Sequence, residues 1–349
     1  MFAIIDCGST STRVYLLDKA DQIVAKAAVS VGVNSTAQSG STGELKRGVA
    51  ACFREALASG GIALEDIELA IAFGMITSEL GLLELPHLTA PAGLADLAGQ
   101  IHVIRDPEVF PLDLPVWFIR GVKNNCPSVK WGDLRQVDLM RGEETQVIGV
   151  LSRLRPSLPV NILELGSTTK LIHIDKDGRI SGSITSISGQ VYDAIKKETF
   201  IGKCVRGRAD SPEAEGFFSE SIVETAKECV AGSGFLRTML LARFSEIALP
   251  TKWHERKFFV ESALAADDLK LFDEAEALMK FDLDTDFILI GAQERCRIYQ
   301  YLIHQRRGFA KKIDVISERA EIDLLAVAGA ARIAEKAREF MNQEPQRRG

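Results

Sequence analysis

Apolar runs bounded by glycine turns alternate with stretches of helical spacing along the first part of this 349-residue chain. Residues 2–6, 13–18 and 22–29 are strand-like, and the short turns between them predict that they pair in sequence order. Residues 43–58 carry apolar side chains at helical spacing and precede a Gly-Gly pair, which predicts a helix. The apolar run at 67–73 is typical of a buried parallel strand. Strands followed by a helix and a further strand indicate an α/β fold.

The same pattern begins again in the second half of the chain. The first half closes with a strand-like run at 115–119 and a helical stretch at 143–154, and the segment "RLRPSLP" then interrupts the pattern. The second half predicts strands at 161–165, 170–175 and 179–185, helices from about 190 to 279, a strand at 286–290, a helix at 294–304, a strand at 313–316 and a helix at 323–340. We therefore expect two α/β lobes, formed by residues 1–153 and 154–349.

Two glycine turns, one near the start of each half, carry the same sequence pattern. "IIDCGSTSTRVYLLD" at 4–18 and "ILELGSTTKLIHID" at 162–175 both contain an apolar strand, an acid two residues before a glycine, Gly-Ser-Thr, a cation and a second apolar strand. Repetition at this separation indicates a duplicated lobe. Glycine lets the backbone approach a ligand, and successive N–H groups with neighbouring hydroxyls form an anion-binding concavity. The predicted phosphate-binding residues are Gly8, Ser9, Thr10 and Arg13 in the first hairpin and Gly166, Ser167, Thr168 and Lys170 in the second.

The acid before each glycine has its own expected role. Asp6 is expected to hold Mg²⁺ through water, because this ion prefers a few oxygen ligands and keeps part of its hydration shell. Glu164 is the corresponding acid of the second hairpin. For one hairpin alone, the favoured alternative is an ordinary turn with a polar tip. Two matching copies, each opening a lobe, favour a clamp that holds the phosphates of one nucleotide.

Composition and charge narrow the class of protein. Hydrophobic residues make up 46% and charged residues 26% of the chain, which is typical of a soluble globular protein. The formal net charge of −6 argues against a nucleic-acid partner, which would require a basic face. No apolar run approaches the length of a membrane span, so no membrane partner is expected. The six scattered cysteines form no C-x-x-C pair and Met1 leads directly into a strand, which together favour a reducing, cytoplasmic location.

These motifs resemble the superfamily of acetate and sugar kinases, Hsp70 and actin. Within it, the chain resembles the 2-dehydro-3-deoxygalactonokinases, which phosphorylate a 2-keto-3-deoxy sugar acid, and it does so most specifically at "MRGEETQ", residues 140–146. The resemblance implies an actin-like ATPase fold, in which two ribonuclease-H-like lobes enclose a nucleotide cleft. It further implies ATP and Mg²⁺ as cofactors and a small-molecule sugar acid as the substrate, and it leaves a homodimer open.

The "RGEETQ" stretch carries the expected catalytic groups. Phosphoryl transfer to a hydroxyl group needs a carboxylate that takes the proton, and the resemblance places one at a turn that leads into a helix. Glu143 is the expected base, with Glu144 as the second choice and Asp138 as the third. The alternative for both glutamates is a purely electrostatic role at the helix N-terminus. Arg141 is expected to hold the substrate carboxylate in bidentate fashion, and its alternative is an exposed salt bridge.

Two further segments are expected to form the pockets. "GMITSELG" at 74–81 follows a buried strand, and its polar side chains suit the hydroxyl groups of a sugar, although a plain surface loop would show the same pattern. The substrate-binding candidates are Asn34, Met75, Thr77, Ser78 and Arg141. Gly291 and Ala292, at the end of a strand, resemble the adenosine-binding turn of the family, where small residues let adenine approach the backbone.

The chain departs from the family at several aromatic positions around the expected sugar pocket. Cys7, Leu82 and Leu171 stand where the family usually has tryptophan, and His87 stands at another usual aromatic position. Two other functions remain open. One is an exopolyphosphatase-type phosphatase, which opens with a similar Asp-x-Gly-Ser hairpin and against which the net charge of −6 argues. The other is a non-catalytic, actin-like nucleotide-binding protein, against which the intact "RGEETQ" argues.

Overall fold

Two mixed β-sheets, one in each half of the chain, form the frame of the molecule. They are seen in a computed structural model that describes residues 1–207, 216–307 and 312–343. The strands are β1 (Phe2–Cys7), β2 (Thr12–Leu17), β3 (Ile23–Val29), β4 (Leu69–Gly74), β5 (Leu88–Thr89), β6 (His102–Ile104), β7 (Val116–Phe118), β8 (Val122–Lys123), β9 (Leu139–Met140), β10 (Val160–Leu165), β11 (Thr169–Ile174), β12 (Ile180–Ser186), β13 (Asp286–Gly291) and β14 (Ile313–Ile316). The α-helices are α1 (Asn34–Ser39), α2 (Gly43–Gly60), α3 (Leu94–Gly99), α4 (Glu143–Leu154), α5 (Ser188–Glu198), α6 (Ile201–Val205), α7 (Glu220–Ser233), α8 (Phe235–Ala248), α9 (Trp253–Glu274), α10 (Gln293–Arg307) and α11 (Arg319–Gln343).

The two large sheets share one strand order. The first has the order β3-β2-β1-β4-β7-β6 and the second β12-β11-β10-β13-β14. Strand β1 is antiparallel to β2 and parallel to β4, and β10 is likewise antiparallel to β11 and parallel to β13. This is the ribonuclease-H-like order in both halves, so the predicted fold class is confirmed. A small third sheet, β5-β8-β9, adjoins the first half.

The duplication extends to a second glycine in each half, located after the third strand. After β3, a Cβ on Gly32 would lie 2.4 Å from the carbonyl oxygen of Gly8. After β12, a Cβ on Gly189 would lie 2.4 Å from the carbonyl oxygen of Gly166. The chain that leaves the third strand of each half therefore packs directly on the tip of its hairpin, which only glycine allows. The sequence repeat did not reveal this second pair.

Helices α4 and α11 link the two sheets through one apolar cluster. The cluster contains Ile4 of the first sheet and Ile162 of the second, together with Val150 of α4 and Ile333 of α11. Helix α11 packs against α4 and α3, although it comes from the end of the chain. A helix of the second half thus packs on helices of the first half. The lobe boundary after residue 153 stays a prediction.

Several element bounds differ from the prediction. The strand expected at 67–73 begins at Leu69, and the helix expected at 323–340 runs from Arg319 to Gln343. Helices α1 and α3, strand β6 and the three strands of the small sheet were not predicted, because each spans only two to six residues and shows little periodicity. None of the helices in the described ranges is long and apolar enough to cross a membrane.

Candidate active site

A cleft of about 670 Å³ lies between the two glycine hairpins and is lined by residues of both halves. At its base the carboxyl ends of β1 and β10 carry Asp6 and Glu164, one from each hairpin. The structure brings the following predicted residues together around it: Asp6, Gly8, Ser9, Arg13, Met75, Ser78, Asp138, Arg141, Glu143, Ser167, Thr168 and Lys170. A single cleft thus joins the two hairpins to the "RGEETQ" segment.

Other predicted residues do not line this cleft. Thr10 and Asn34 are exposed, and Asn34 begins α1, with its backbone N–H bonded to the carbonyl oxygen of Ser9. Thr77 and Glu144 are fully buried. The Asn34 backbone thus braces the hairpin tip, and the predicted role of its side chain in substrate binding stays a prediction.

The structure separates the three candidate bases by their hydrogen bonds. Both oxygens of the Glu144 carboxylate accept the N–H of Gly142, at 3.0 and 2.8 Å, and Oε1 also accepts the Thr145 hydroxyl. Asp138 Oδ2 accepts the hydroxyls of Ser183 and Thr185, both at 2.8 Å. These carboxylates are engaged within the protein, and Glu144 holds the turn before α4.

Glu143 differs from both because it lines the cleft with one oxygen available. Its Oε2 accepts the N–H of Arg141 at 3.0 Å, whereas Oε1 lies 3.9 Å from Lys170 Nζ. Burial raises the pKa of Glu143, and the charge of Lys170 opposes that rise. Gly142 has a φ of 110°, which favours glycine, and this turn sets Glu143 at the start of α4.

The carboxylates at the base of the cleft fit a bound cation. Burial raises the pKa of Asp6, although Arg13 forms an ion pair with it at 3.0 Å. Burial and the neighbouring Glu143 raise the pKa of Glu164 to about 8. Among the described residues, no group of three or more His, Cys, Asp or Glu side chains is arranged to hold a metal unaided. A metal here would therefore take further oxygens from water and phosphate, as Mg²⁺ does.

Arg141 and His87 form the wall of the cleft on the side of the first lobe. Arg141 donates from Nη1 to Thr77 Oγ1 at 2.8 Å and from Nη2 to the carbonyl oxygen of Leu85 at 2.7 Å. His87 lines the cleft with its Nδ1 3.5 Å from Arg141 Nη2, and burial lowers its pKa to about 4, so the ring is uncharged at neutral pH. Arg141 thus fixes the loop that carries the substrate-binding candidates.

The aromatic departures fall into two groups in the structure. Cys7 and Leu171 are fully buried in the cores beneath their sheets, and Leu82 packs against the same core as Cys7. Of these four positions, His87 is the one that lines the cleft.

The contribution of α11 to the cleft was not apparent from the sequence. Arg319 and Asp323, one turn apart and ion-paired at 3.1 Å, line it together with Ile322 and Ala326. In the sequence such a pair is typical of a surface i,i+4 ion pair, and nothing in its pattern indicates which sheet the helix covers. Asp323 faces the first hairpin closely enough to contribute to the raised pKa of Asp6.

A second cavity of about 310 Å³ lies on the other side of the second hairpin. Gly166 and Ala292, both predicted to bind the nucleotide, line it with Lys257 and Glu261 of α9. A Cβ on the preceding residue, Gly291, would lie 2.8 Å from the carbonyl oxygen of Leu165, so the turn packs on β10 only as glycine. Further lining residues are Ser188, Gly189, Tyr192, Glu294 and Arg295.

Comparisons with known proteins agree with this architecture. The chain is similar to a candidate 2-dehydro-3-deoxygalactonokinase from Sinorhizobium meliloti, with a TM-score of 0.71 and 19% identity over 96% of this chain and 98% of that one. It has the fold of the Clostridium difficile activator of 2-hydroxyisocaproyl-CoA dehydratase, solved with ADPNP, with a TM-score of 0.50 and 13% identity over 98% and 97% of the two chains. In sequence it is 23% identical to the Rhizobium meliloti protein named "Probable 2-dehydro-3-deoxygalactonokinase DgoK1" over 235 residues, which are 67% of this chain and 69% of that protein.

Two ribonuclease-H-like sheets around a polar cleft define the actin-like ATPase fold. The sequence profile of the 2-keto-3-deoxy-galactonokinases matches residues 6–327, and the chain belongs to that family. The resemblance inferred from "MRGEETQ" and the two hairpins is thereby confirmed. The enzyme class is that of phosphotransferases with an alcohol group as acceptor.

Proposed function

We propose that this protein transfers the γ-phosphoryl group of ATP to a hydroxyl group of a 2-keto-3-deoxy sugar acid, with 2-dehydro-3-deoxygalactonate as the expected substrate. The observation that carries this proposal is the position of Glu143, which lies in the cleft between two phosphate-type hairpins, with Oε2 bonded to the Arg141 N–H and Oε1 3.9 Å from Lys170 Nζ. The family of the chain supports the choice of substrate class.

In the proposed reaction Glu143 takes the proton of the attacking hydroxyl group. A bond forms between the sugar oxygen and the γ-phosphorus while the bond to the bridging oxygen breaks, and ADP leaves. The tips of the two hairpins, which line the cleft at Ser9 and Ser167, would face the phosphates and stabilise the charge that spreads over them. Closure of the two lobes would exclude water from the transfer.

We propose that Asp6 helps to bind the metal ion, because it lies at the end of β1 beside the phosphate-binding turn. Mg²⁺ bound there would neutralise phosphate charge. The second cavity suits adenosine, since Gly291 and Ala292 give close approach to backbone and Lys257 and Glu261 offer polar partners for a ribose. Gly166 borders this cavity and its neighbour Ser167 borders the cleft, so one nucleotide would span both.

The sugar acid would lie against Arg141, Met75 and Ser78. This wall is on the side of the cleft next to Glu143, and Arg141 is its cation. The guanidinium uses one N–H of each terminal nitrogen on Thr77 and Leu85, which leaves further donors for a carboxylate.

Arg141→Lys is expected to raise KM for the sugar acid by about 10- to 100-fold, because a lysine cannot hold Thr77, Leu85 and a carboxylate together. KM for ATP should stay unchanged. Steady-state kinetics with each substrate varied in turn measures both values. Arg105→Lys, at an exposed ion pair with Asp113, is the matched control. An unchanged KM for the sugar acid in Arg141→Lys would remove Arg141 from the substrate site.

The proposed function is tested by measuring ATP consumption across a panel of 2-keto-3-deoxy sugar acids of different stereochemistry, with ³¹P NMR of the product. We expect ADP and a sugar-acid phosphate ester in equal amounts. A parallel assay measures hydrolysis of polyphosphate. Polyphosphate hydrolysis without phosphorylation of any sugar acid would favour the phosphatase. ATP binding without any accepted sugar acid would favour a non-catalytic protein.

A further inference from the structure

The cations of the two duplicated hairpins make different contacts. Arg13 lies opposite Asp6 in the register of β1 and β2, and the two form an ion pair at 3.0 Å. Lys170 lies at the matching position opposite Glu164 in the register of β10 and β11. Its ion pairs in the described chain are instead with Asp138 and Glu143, both from the first half. Both hairpins therefore carry a cation at the same position, but the two cations form ion pairs with different partners.

The surroundings of Lys170 leave its ammonium group little freedom. The residue is only 3% exposed. Nζ donates to the carbonyl oxygen of Leu139 at 2.9 Å and to Thr185 Oγ1 at 2.6 Å, and it lies 3.8 Å from Asp138 Oδ2 and 3.9 Å from Glu143 Oε1. An ammonium has three N–H donors, so two are used on neutral oxygens and one remains for the carboxylates.

We propose that Lys170 is a positioning residue for phosphoryl transfer, which keeps Glu143 ionised and ties it to the second hairpin, and that it is not mainly a phosphate ligand. This inference rests on the proposed role of Glu143 as the base. It replaces the sequence-based expectation that Lys170 adds charge to the phosphate cradle. The geometry favours it, because Lys170 Nζ already has four oxygens of the protein within 4 Å.

The charges around Glu143 explain why such a residue is needed. Burial raises the pKa of Glu143, and the neighbouring Asp138 raises it further. Glu143 in turn raises the pKa of Glu144 and of Glu164. The titratable and charged groups that face Glu143 from its own turn and from the packed strands are Asp138, Arg141, Glu144, Glu164 and Lys170. Arg141 contacts Glu143 through its backbone N–H and points its guanidinium at Thr77 and Leu85. Lys170 is therefore the cation that compensates Glu143 in the described structure.

The test compares Lys170→Met and Lys170→Arg with the wild type across pH. An opposite charge within about 4–6 Å lowers the pKa of a carboxyl group by about 1–3 units, so its removal should move the acid limb of kcat/KM to higher pH by about one unit or more. The Kd for ATP, measured by calorimetry, should stay unchanged. Lys170→Arg keeps the charge and should keep the acid limb near its wild-type position. Lys176→Met removes an exposed lysine from the turn after β11 and is the matched control.

The proposal would be overturned if the acid limb did not move and the Kd for ATP rose about tenfold or more. Lys170 would then be a phosphate ligand. A readout without turnover separates this result from failure of the proposed function. The Glu143 carboxyl group is titrated by ¹³C NMR in wild type and Lys170→Met, with Glu143→Gln for assignment. A higher pKa in Lys170→Met supports the proposal even if no sugar acid is accepted, and an equal pKa refutes it.

Discussion

Glu143→Gln is expected to lower kcat by about 10²- to 10⁴-fold, which is the range that a positioned general base contributes. The amide cannot take the proton of the attacking hydroxyl group, yet it keeps the shape of the side chain and can still accept the N–H of Arg141 through its oxygen. ATP should therefore bind as it does to the wild type. Single-turnover measurements of phosphorylated sugar acid, with calorimetry for ATP, check both expectations.

Two variants at the other candidate bases serve as comparisons. Asp138→Asn is expected to act mainly on stability, because Asp138 joins the first half to the hydroxyls of Ser183 and Thr185 on β12. Glu144→Gln changes the group that holds the N–H of Gly142 and is also expected to lower the unfolding midpoint. A Glu143→Gln enzyme with undiminished turnover would exclude Glu143 as the base. A much larger loss of kcat in Asp138→Asn, with an unchanged unfolding midpoint, would move the role there.

Gly329→Ala is expected to destabilise the protein by about 2 kcal/mol, although alanine is the better helix former by about 1 kcal/mol. A Cβ on Gly329 of α11 would lie 1.8 Å from the carbonyl oxygen of Thr145 on α4. The opposite contact is equally close, because a Cβ on Gly149 would lie 1.8 Å from the carbonyl oxygen of Leu325. The two helices touch backbone to backbone, so one methyl group forces them apart.

Chemical denaturation measures this change in the free energy of unfolding. Gly232→Ala is the matched control, since Gly232 lies in α7 and a Cβ there would have no atom of the described chain within 4 Å beyond its own helix backbone and chain neighbours. That substitution should stabilise the protein by up to about 1 kcal/mol. Because Thr145 is two residues from Glu143, Gly329→Ala should also lower kcat/KM. A stabilised Gly329→Ala protein would contradict the close packing of α4 and α11.

The duplicated fold was predictable because its signal is local and occurs twice. The acid, the Gly-Ser-Thr turn and the cation of each hairpin mark the ends of β1 and β10, and the strands were found within one or two residues of their bounds. The two-residue strands of the small sheet were not predictable, since they have no period and owe their position to neighbours far along the chain. The packing position of α11 could not be predicted for a similar reason. Its sequence pattern shows an apolar face but not which sheet that face covers.

The sequence predicted which residues form the candidate site better than it predicted how they are arranged. Glu143, Arg141 and the hairpin glycines were named from motifs, yet the motif could not separate Glu143 from Glu144, which differ only in which one the turn at Gly142 directs into the cleft. The hydrogen-bond partners of Lys170 come from β9 and β12 and its ion-pair partners are Asp138 and Glu143, and no spacing within the second hairpin indicates them. Long-range contacts of this kind are decided by packing and not by the local pattern.

The place of α11 has a consequence for how the protein is made. Translation proceeds from the N-terminus, so α11 leaves the ribosome after every strand of both sheets. Until then α4 lacks the helix that packs on it, and apolar residues such as Val150 remain uncovered. A nascent or truncated chain that ends before Arg319 also lacks one wall of the cleft. We therefore expect such a fragment to be inactive and prone to aggregation.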